Sequence, residues 1–411
     1  MATREVSILE ESDDHPNVIR YFYQEAQGTF LYIAIELCPA SLADLIERPD
    51  NFKDIAVSFD PKRALRQVTS GLQHLHALKI VHRDIKPQNI LVSGAKNGQK
   101  HRMLISDFGL CKRLEVDQTS FMPTAFGAMA AGTVGWRAPE ILRGEVRLDD
   151  SDASQSSRGS VATLNGSNTP SSSSKPMKLT KAVDIFALGC LYYYCLTGGS
   201  HPYGDRFERE TNIMKDVKSL GGLDHFGEEG TEVADLIGKM LNAQASLRYV
   251  KESFSWAGSD QICRPDTASC LVHPYFWDAE RRLAFLQDAS DRFEIMCREP
   301  REKDLVALET NASGVVGQDW RVRLDKSFQE NLGKFRKYDG KSVQDLLRAL
   351  RNKVSRVWHS LFPQGLTNSV ETPLPGPTRK SPEATSSYAS GLSRILYAPL
   401  PPIIYARPRH C

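Results

Sequence analysis

The feature that most constrains the fold of this chain is a pair of short motifs whose aspartates lie 23 residues apart. Residues 82–89 read His-Arg-Asp-Ile-Lys-Pro-Gln-Asn, and residues 107–109 read Asp-Phe-Gly. A short apolar, strand-like run precedes each motif, Ile80-Val81 before the first and Leu104-Ile105 before the second. Both motifs in this order would rarely occur by chance, so the chemistry of these residues must define the chain.

These residue types at this spacing are typical of a protein kinase acting on ATP. Asp84 can accept the proton of a substrate hydroxyl, and Lys86 can neutralise charge on the transferred γ-phosphoryl group. Asn89 and Asp107 carry hard oxygen ligands suited to Mg²⁺, which binds few protein carboxylates and otherwise relies on phosphates and water. The motifs therefore predict a protein-kinase-like fold with ATP and Mg²⁺ as cofactors.

Composition indicates a mostly globular chain and argues against several classes of function. The 411 residues are 41% apolar and 25% charged, which leaves room for two or three domains. A net charge of +2 argues against a strong field for nucleic acid or membranes. The eight scattered cysteines form no CxxC pattern, which favours free thiols over a zinc site. Ile185 to Thr197 is too short to cross a bilayer and predicts a buried helix, so we expect no membrane segment in this chain.

Hydrophobic periodicity predicts the elements of the first part of the chain. Residues 4–12 and 62–78 have the spacing of helices, the second of them amphipathic. Residues 18–23 and 30–37 read as strands. The stretch His273–Trp277 is expected to close a kinase domain that covers residues 1–277.

Three further segments differ sharply in composition. Residues 143–177 are rich in Ser, Asn, Asp and Gly and predict an exposed disordered insert, with an ordered binding loop as the alternative. Residues 278–353 return to helical periodicity. Residues 354–411 are rich in Pro and Ser without a pattern, which predicts a disordered tail.

Several stretches resemble one family of kinases in particular. The resemblance is carried by Tyr32–Cys38, Ser106–Lys112, Thr133–Glu140, Val183–Cys190 and Gly198–Gly204, and then by Phe276–Phe293, Gln318–Trp320, Lys334–Tyr338 and Val343–Lys353. The family is the inositol-requiring kinase/endoribonuclease, the unfolded-protein sensor of the endoplasmic reticulum. The long polar insert suggests a fungal member. The resemblance implies an α+β kinase-like fold with a truncated N-lobe and a mostly helical C-lobe, followed by a partial all-α ribonuclease (KEN) domain at residues 278–353.

The resemblance also implies roles for individual residues around the kinase motifs. It makes Glu5 the helix glutamate that pairs with an ATP-positioning lysine, and it adds Glu36, Cys38 and Lys86 to the ATP site. Arg83, beside the catalytic Asp, can bind a phosphate on the activation loop. The candidate phosphate acceptors on that loop are Thr119, Ser120 and Thr124. The alternative is that they are only exposed loop hydroxyls.

The last helical stretch, Val343–Lys353, has the pattern of a capped amphipathic helix. Ser342 can cap a helix, with Asp345 three residues later completing a capping box. One buried face is expected from Val343, Leu346, Leu347 and Leu350. Arg348 and Arg351 lie off that face, where they either meet RNA phosphate or form a solvated basic surface.

The resemblance implies a metal-independent cleavage of RNA in this domain. A 2′-hydroxyl attacks the adjacent phosphate while side chains move protons and cations stabilise the phosphorane. The resemblance assigns Tyr338, Arg351 and Asn352 to that site. It also requires a histidine four residues after Asn352, where this chain has Arg356, and His359 comes about one helical turn late.

The chain departs from the family pattern at three places. No glycine-rich loop and no partner lysine precede Glu5, and the resemblance is expected to end after Lys353, so we expect truncation at both ends. Residues 249–263 interrupt an otherwise continuous stretch and are either a retained short intron or a surface insertion. Codons for Val354-Ser355 can spell a splice donor, so residues 354–411 are either translated intron or a Pro-rich recognition tail. The arginine expected to pair with Glu140 is Arg248 or Arg264, depending on how residues 249–263 are interpreted.

Two main functions follow from these expectations. The first is a serine/threonine kinase that autophosphorylates in trans and, by self-association, controls a ribonuclease of the unfolded protein response. The second is a catalytically impaired scaffold that acts only through dimerisation, because this polypeptide is expected to be weak as a kinase and inactive as a ribonuclease. A third, the ankyrin-fused ribonuclease with a kinase-like domain, is disfavoured by the complete set of catalytic residues.

The full-length member is expected at the cytosolic face of the endoplasmic reticulum membrane, and this fragment alone in the cytoplasm.

Overall fold

The computed structural model divides the chain into two compact units, residues 1–276 and 277–411. The division falls one residue before the domain boundary that the sequence predicts. The structure describes residues 2–94, 100–114, 132–144, 180–244, 264–297, 299–310, 312–323 and 337–361. The interruption at residues 249–263, almost all of the polar insert at 143–177 and the tail beyond residue 361 therefore lie outside the described residues.

Helices predominate in both units. The helices of the first unit are α1 (Ala2–Ser12), α2 (Leu42–Glu47), α3 (Lys53–Ala56), α4 (Pro61–Ala77), α5 (Pro139–Leu142), α6 (Ala182–Leu196), α7 (Arg209–Lys215), α8 (Glu228–Met240) and α9 (Thr267–Leu271). Its strands are β1 (Tyr21–Gln27), β2 (Phe30–Ile35), β3 (Ala40–Ser41), β4 (Ile80–Val81), β5 (Ile90–Val92), β6 (Met103–Ile105) and β7 (Lys112–Arg113). The second unit contains α10 (Ala279–Ile295), α11 (Lys303–Thr310), α12 (Ala312–Val316) and α13 (Val343–Leu361).

The strands form small antiparallel sheets in the orders β1–β2, β3–β5–β6 and β4–β7. The prediction that the first strand begins at Val18 is wrong, because β1 begins at Tyr21. Val18 and Ile19 are instead almost completely buried, and Val18 forms an isolated parallel bridge with Ile105. Their apolar side chains therefore anchor the start of the chain to the strand that leads into the Asp-Phe-Gly motif.

Two helices form the centre of the first unit. Helix α4 begins where the Asp60 side chain accepts a hydrogen bond from the Arg63 backbone, with Pro61 in the first turn. Its predicted apolar face is completely buried. Helix α6 is buried almost all round, as expected for a helix that is apolar on every side. The catalytic motifs lie in the segments that follow α4, against this core.

A buried ion pair joins the segment after the Asp-Phe-Gly motif to the end of the unit. Arg264 donates from Nη1 to Glu140 Oε1 at 2.6 Å and from Nη2 to Oε2 at 2.9 Å. Its Nε donates to the Asn242 carbonyl at 2.7 Å, and its guanidinium lies 5.0 Å from the centre of the Phe186 ring. Of the two candidate partners of Glu140, the structure selects Arg264, while Arg248 lies outside the described residues.

The second unit packs α10, α11 and α12 against α13. The four predicted apolar residues of α13 are buried. Ser342 caps the helix as expected, since its hydroxyl accepts from Asp345 N at 3.1 Å. The rest of the predicted capping box is wrong, because the Asp345 carboxylate accepts from Asp339 N instead. The carboxylate of Glu309 on α11 completes the cap, accepting from the Ser342 hydroxyl and from the first backbone amides of α13.

Helix α13 is longer than the sequence predicts. It continues to Leu361, so residues 354–361 are helical and the predicted boundary of the tail at residue 354 is wrong. The reason is visible in the sequence, because Val354, Val357 and Leu361 continue the apolar spacing of Leu350. Among the described residues, no helix is both long enough and apolar enough to span a bilayer.

Removing one partner of the Glu140–Arg264 pair should strongly destabilise the first unit. Both side chains are buried, with exposed fractions of 2% and 0%, so Arg264→Ala leaves an uncompensated carboxylate. We expect a loss of about 3–5 kcal/mol in the free energy of unfolding, measured by urea denaturation. The control is Lys239→Ala, which breaks an exposed pair with Asp235 and should cost at most about 1 kcal/mol. Equal losses for the two variants would contradict this interpretation.

Candidate active sites

The carboxylate of Asp84 is the centre of a dense hydrogen-bond network. Its Oδ2 accepts from Lys86 Nζ at 2.6 Å and from Asn89 Nδ2 at 2.9 Å. Its Oδ1 accepts from the Thr133 hydroxyl at 2.8 Å and from the Thr133 amide at 3.0 Å. Lys86 Nζ also donates to the Thr133 hydroxyl at 2.8 Å. The structure thus brings three predicted residues together with Thr133, which lies 49 residues further along the chain.

The network keeps Asp84 ionised. Burial would raise the pKa of this carboxyl, but the hydrogen bonds from Lys86 and Thr133 and the charge of Lys86 together hold its pKa below the ordinary value. An ionised carboxylate is the form that can accept a proton from a hydroxyl. Asp84 can therefore act as the general base that the sequence predicts, accepting the proton of a substrate hydroxyl.

Asn89 and Asp107 adjoin one another through the backbone. The Asn89 carbonyl accepts from both the amide and the hydroxyl of Ser106, at 2.9 Å each, which places Asp107 beside it. Asp107 has a φ of 65°, in the left-handed region that non-glycine residues rarely adopt and that is common at functional sites. The Asn89 amide nitrogen is already bonded to Asp84, which leaves its side-chain oxygen available as a ligand.

A second carboxylate, that of Glu5 on α1, lies close to Asp107. A Cβ added to Gly109 would lie 3.4 Å from Asp107 Oδ1 and 3.9 Å from Glu5 Oε2, so both carboxylates flank this glycine. Burial, and then the negative charge of Asp107, raise the pKa of Glu5. Among the described residues, no three His, Cys, Asp or Glu side chains converge as a metal site. A Mg²⁺ ion bound with nucleotide needs fewer protein ligands, and Asn89 with Asp107 fits that requirement.

Asp184 on α6 accepts hydrogen bonds from the backbone of the catalytic loop. Its Oδ2 accepts from the His82 amide at 2.9 Å, and its Oδ1 accepts from the Arg83 amide at 2.8 Å. His76 on α4 donates to the same carboxylate at 2.8 Å. Burial would raise the pKa of Asp184, but the hydrogen bonds from His76 and from the Arg83 amide hold its pKa below the ordinary value. The fully buried carboxylate therefore fixes the backbone immediately before Asp84.

The two residues that Asp184 holds also contact the Asp-Phe-Gly segment. Burial lowers the pKa of His82, so this ring is neutral, and its Nε2 lies 3.1 Å from the Ser106 carbonyl. The His82 ring packs edge-on against Phe108 with 5.6 Å between ring centroids. Arg83 is buried with a φ of 70°, and its Nε donates to the Leu110 carbonyl. The candidate acceptors Thr119, Ser120 and Thr124 lie outside the described residues, so their relation to Arg83 stays a prediction.

Two of the predicted ATP-site residues, Glu36 and Cys38, lie between β2 and β3. The Glu36 amide donates to the Arg20 carbonyl at 2.9 Å, and the Glu36 carboxylate lies 3.6 Å from Arg102. The Cys38 thiol lies 3.7 Å from the Glu36 carbonyl. Burial, and then the charge of Glu36, raise the pKa of Cys38 to about 11, so the thiol stays protonated at neutral pH. These contacts hold the segment in place beside β2.

The three predicted ribonuclease residues form one cluster in the second unit. Asn352 Nδ2 donates to the Tyr338 hydroxyl at 3.3 Å, and Arg351 Nε donates to Asn352 Oδ1 at 3.3 Å. Tyr338 is held from the other side by the Trp320 ring, with 6.3 Å between centroids. The cluster combines a phenol, an amide and a guanidinium, which can move a proton and stabilise negative charge on a phosphate. The side chains of Arg356 and His359 are outside the described part of α13.

The two arginines of α13 differ in their surroundings. Arg348 is largely buried and pairs with both Glu294 and Asp345, so the expectation that it meets RNA phosphate is not supported. Arg351 pairs with the exposed Asp291 on α10, with 2.6 Å between Nη1 and Oδ1. The basic face that the sequence predicts is therefore partly neutralised within the unit.

Sequence reasoning did not assign Thr133 or Asp184 to the catalytic site. Asp184 had a usable signal, because it stands in an otherwise apolar segment and a buried carboxylate must find partners. Thr133 had no usable sequence signal beyond its place after Gly132, because its hydrogen bond to Asp84 depends on how the chain folds back. Glu309 and Asp291 were also missed, and nothing in their local sequence indicates their contacts with α13.

Comparisons with known families agree with this division of the chain. The family described as protein kinase domain matches residues 1–157, and the family described as ribonuclease 2-5A matches residues 282–361. The second match extends past Lys353, so the expectation that the resemblance stops there is wrong. Its end coincides with the end of α13.

Curated relatives show the same pair of domains in their names. The chain is 48% identical over 362 residues to the serine/threonine-protein kinase/endoribonuclease IRE1 of Hypocrea jecorina, covering 86% of this chain and 27% of that protein. It is 46% identical over 372 residues to the kinase/endoribonuclease ireA of Aspergillus fumigatus, covering 86% of this chain and 31% of that protein. It is 43% identical over 357 residues to the "sensor for unfolded proteins in the ER ire1" of Schizosaccharomyces pombe, covering 86% and 30%. The chain thus spans less than a third of the length of these relatives.

Removing the Asp184 carboxylate should release the catalytic loop. In Asp184→Ala the buried amides of His82 and Arg83 lose their acceptor, and each unsatisfied donor costs about 1–3 kcal/mol. We expect faster hydrogen exchange at these two amides and a lower free energy of unfolding. Asp54→Ala, at an exposed position of α3, is the control and should change neither quantity. Unchanged exchange at both amides in Asp184→Ala would refute the anchoring role.

Proposed function

Because this chain belongs to the IRE1 family of protein kinase/endoribonucleases, we propose that its first unit transfers phosphate from ATP to serine or threonine and that its second unit cleaves RNA. A protein kinase domain and a ribonuclease domain are both present in the chain. The activity of the whole protein is part of the proposal, since the chain spans less than a third of its curated relatives.

The observation that carries the kinase proposal is the network around Asp84. An ionised carboxylate bonded to Lys86 and to the Thr133 hydroxyl is poised to take a proton from a serine or threonine hydroxyl as phosphate transfer begins. The ammonium of Lys86 would balance charge on the transferred group.

The same unit offers groups for ATP and Mg²⁺. We propose that Glu36 and Cys38 line the adenine site and that Asn89 and Asp107 hold Mg²⁺ through their side-chain oxygens. The bound ion would neutralise phosphate charge. Glu5, which lies beside Asp107, is proposed as the helix glutamate that would pair with an ATP-positioning lysine.

The ribonuclease proposal rests on the cluster of Tyr338, Arg351 and Asn352. Cleavage would proceed by attack of the ribose 2′-oxygen on the adjacent phosphorus, with departure of the 5′-oxygen. Arg351 would stabilise the negative charge of the phosphorane, and the Tyr338 hydroxyl, bonded to Asn352, would take part in proton transfer. This chemistry uses no metal ion.

The setting of these activities is also proposed from the relatives. A relative from fission yeast is named a sensor for unfolded proteins in the ER. We propose that this protein works in the same response at the cytosolic face of the endoplasmic reticulum membrane, that it processes RNA there, and that self-association allows phosphorylation in trans. A purely non-enzymatic scaffold is not favoured, because the relatives are named as enzymes and the catalytic residues around Asp84 are complete.

Phosphate transfer should depend on the Asp84 carboxylate. Asp84→Asn keeps the shape of the side chain but removes the proton acceptor, so we expect incorporation of labelled phosphate from ATP to fall by about 10²–10⁴-fold. The matched control is Asp50→Asn, at an exposed position remote in sequence from the motifs, which should behave like the wild type. Equal incorporation by the wild type and Asp84→Asn would exclude intrinsic kinase activity.

RNA cleavage should depend on the Tyr338 hydroxyl and should persist in EDTA. Tyr338→Phe removes only the oxygen that accepts from Asn352, and we expect the cleavage rate of a fluorogenic RNA to fall by about 10²-fold or more. Tyr23→Phe makes the same chemical change at an exposed position of β1 and is the control. Cleavage that EDTA abolishes, or a wild-type chain that leaves the RNA intact, would contradict the proposed reaction.

A further inference from the structure

Two ion pairs form a short ladder between α10 and α13. Arg348 and Arg351 lie one turn apart on α13, and their partners Glu294 and Asp291 lie one turn apart on α10. Each arginine thus faces an acidic residue of the neighbouring helix. The two rungs differ in burial and in the number of carboxylates, and this difference determines what each arginine can bind.

The Arg348 rung is structural. Its Nε donates to Glu294 and its Nη1 donates to Asp345 at 2.5 Å, so two carboxylates already compensate one guanidinium. Only 13% of the Arg348 side chain is exposed. A phosphate would have to displace a largely buried carboxylate to reach it, which is costly because the displaced charge would lose its partner.

The Arg351 rung is open to solvent. Its carboxylate belongs to Asp291, whose side chain is 67% exposed, and the contact joins Arg351 Nη1 to Asp291 Oδ1. Exposed pairs of this kind contribute only about 0–1 kcal/mol, so water or another anion can replace the carboxylate at little cost. Because Arg351 Nε is bonded to Asn352, the pair is directly connected to the proposed ribonuclease cluster.

We propose that Asp291 occupies the position of an RNA phosphate at Arg351 and competes with RNA for that guanidinium. The inference rests on the ribonuclease function proposed above. Carboxylate and phosphate oxygens accept the same charge-assisted hydrogen bonds from arginine, so the place of Asp291 Oδ1 marks where a phosphate oxygen binds. RNA must turn the Asp291 side chain away and then bind beside a like charge.

This competition lowers the affinity of the site for any single phosphate. A short RNA therefore binds weakly, whereas an RNA that places several phosphates on the unit overcomes the same small penalty. Asp291 is in this view a residue that acts through Arg351 and sets the threshold for RNA binding. It takes no direct part in bond cleavage.

The test measures binding of a short fluorescent single-stranded RNA to the 411-residue chain by anisotropy, in EDTA. The RNA carries a 2′-deoxy sugar at the cleavage site so that it stays intact. We expect Asp291→Asn to bind about two- to fivefold more tightly than the wild type, with a smaller gain at high salt because exposed charges are screened. Asp288→Asn makes the same charge change one turn earlier on α10 at an exposed position and should shift affinity less.

A double-mutant cycle separates competition at Arg351 from general repulsion of RNA. In the Arg351→Gln background, Asp291→Asn should give no more gain than Asp288→Asn does. Wild-type or weaker binding by Asp291→Asn would overturn the inference while leaving the ribonuclease proposal standing. So would a gain from Asp291→Asn in the Arg351→Gln background that exceeds the gain from Asp288→Asn. If the wild type binds no RNA at any ionic strength, the ribonuclease proposal fails, and the inference fails with it. Asp291→Ser is measured in parallel and replaces Asp291→Asn if the latter lowers the melting temperature.

Discussion

The buried carboxylate of Asp184 is the interaction on which the first unit depends. It accepts hydrogen bonds from two consecutive backbone amides of the catalytic loop and from His76 on α4. A charge without solvent contact is tolerated only when its hydrogen bonds are satisfied, so its position is determined by the groups around it. Because α6 is buried almost all round, this carboxylate connects the buried central helix to the residues beside Asp84.

In the second unit, a less buried carboxylate, that of Glu309, has a similar role. Glu309 on α11 caps the beginning of α13 and so fixes the axis of the helix that carries Arg351 and Asn352. The ring of Trp320 and the bond from Asn352 then hold Tyr338 in the same cluster. In both units, a carboxylate from a distant element therefore positions the backbone, while the functional side chains come from the segment that it holds.

Much of the fold was predictable where a local pattern decided it. The helices over residues 61–77 and 182–196, and the apolar face of α13, follow from spacing and hydrophobicity alone, because burial of an apolar face requires no knowledge of its partner. The two errors had different causes, a tertiary contact in one and a misleading local composition in the other. Val18 and Ile19 read as strand but are buried as an anchor, and the Pro- and Ser-rich composition of the tail concealed the last turns of α13.

The candidate sites divide in the same way. The spacing between Asp84, Lys86 and Asn89 is local, so sequence alone indicated that these side chains act together, and their hydrogen bonds agree with that grouping. The choice of Arg264 as partner of Glu140 was open, since two arginines were equally placed in sequence and only the folded chain buries one of them.

The sequence by itself determined the class of chemistry, since the catalytic motifs are short, continuous and made of residues whose proton affinity and oxygen ligands suit phosphoryl transfer. Only the tertiary structure decided which charges compensate each other. Thr133 donates to Asp84, 49 residues away in sequence, and Arg351 pairs with Asp291, 60 residues away. Arg348 pairs with two carboxylates. Such pairings depend on distances of a few ångströms between elements far apart in the chain, which no local pattern of residues encodes.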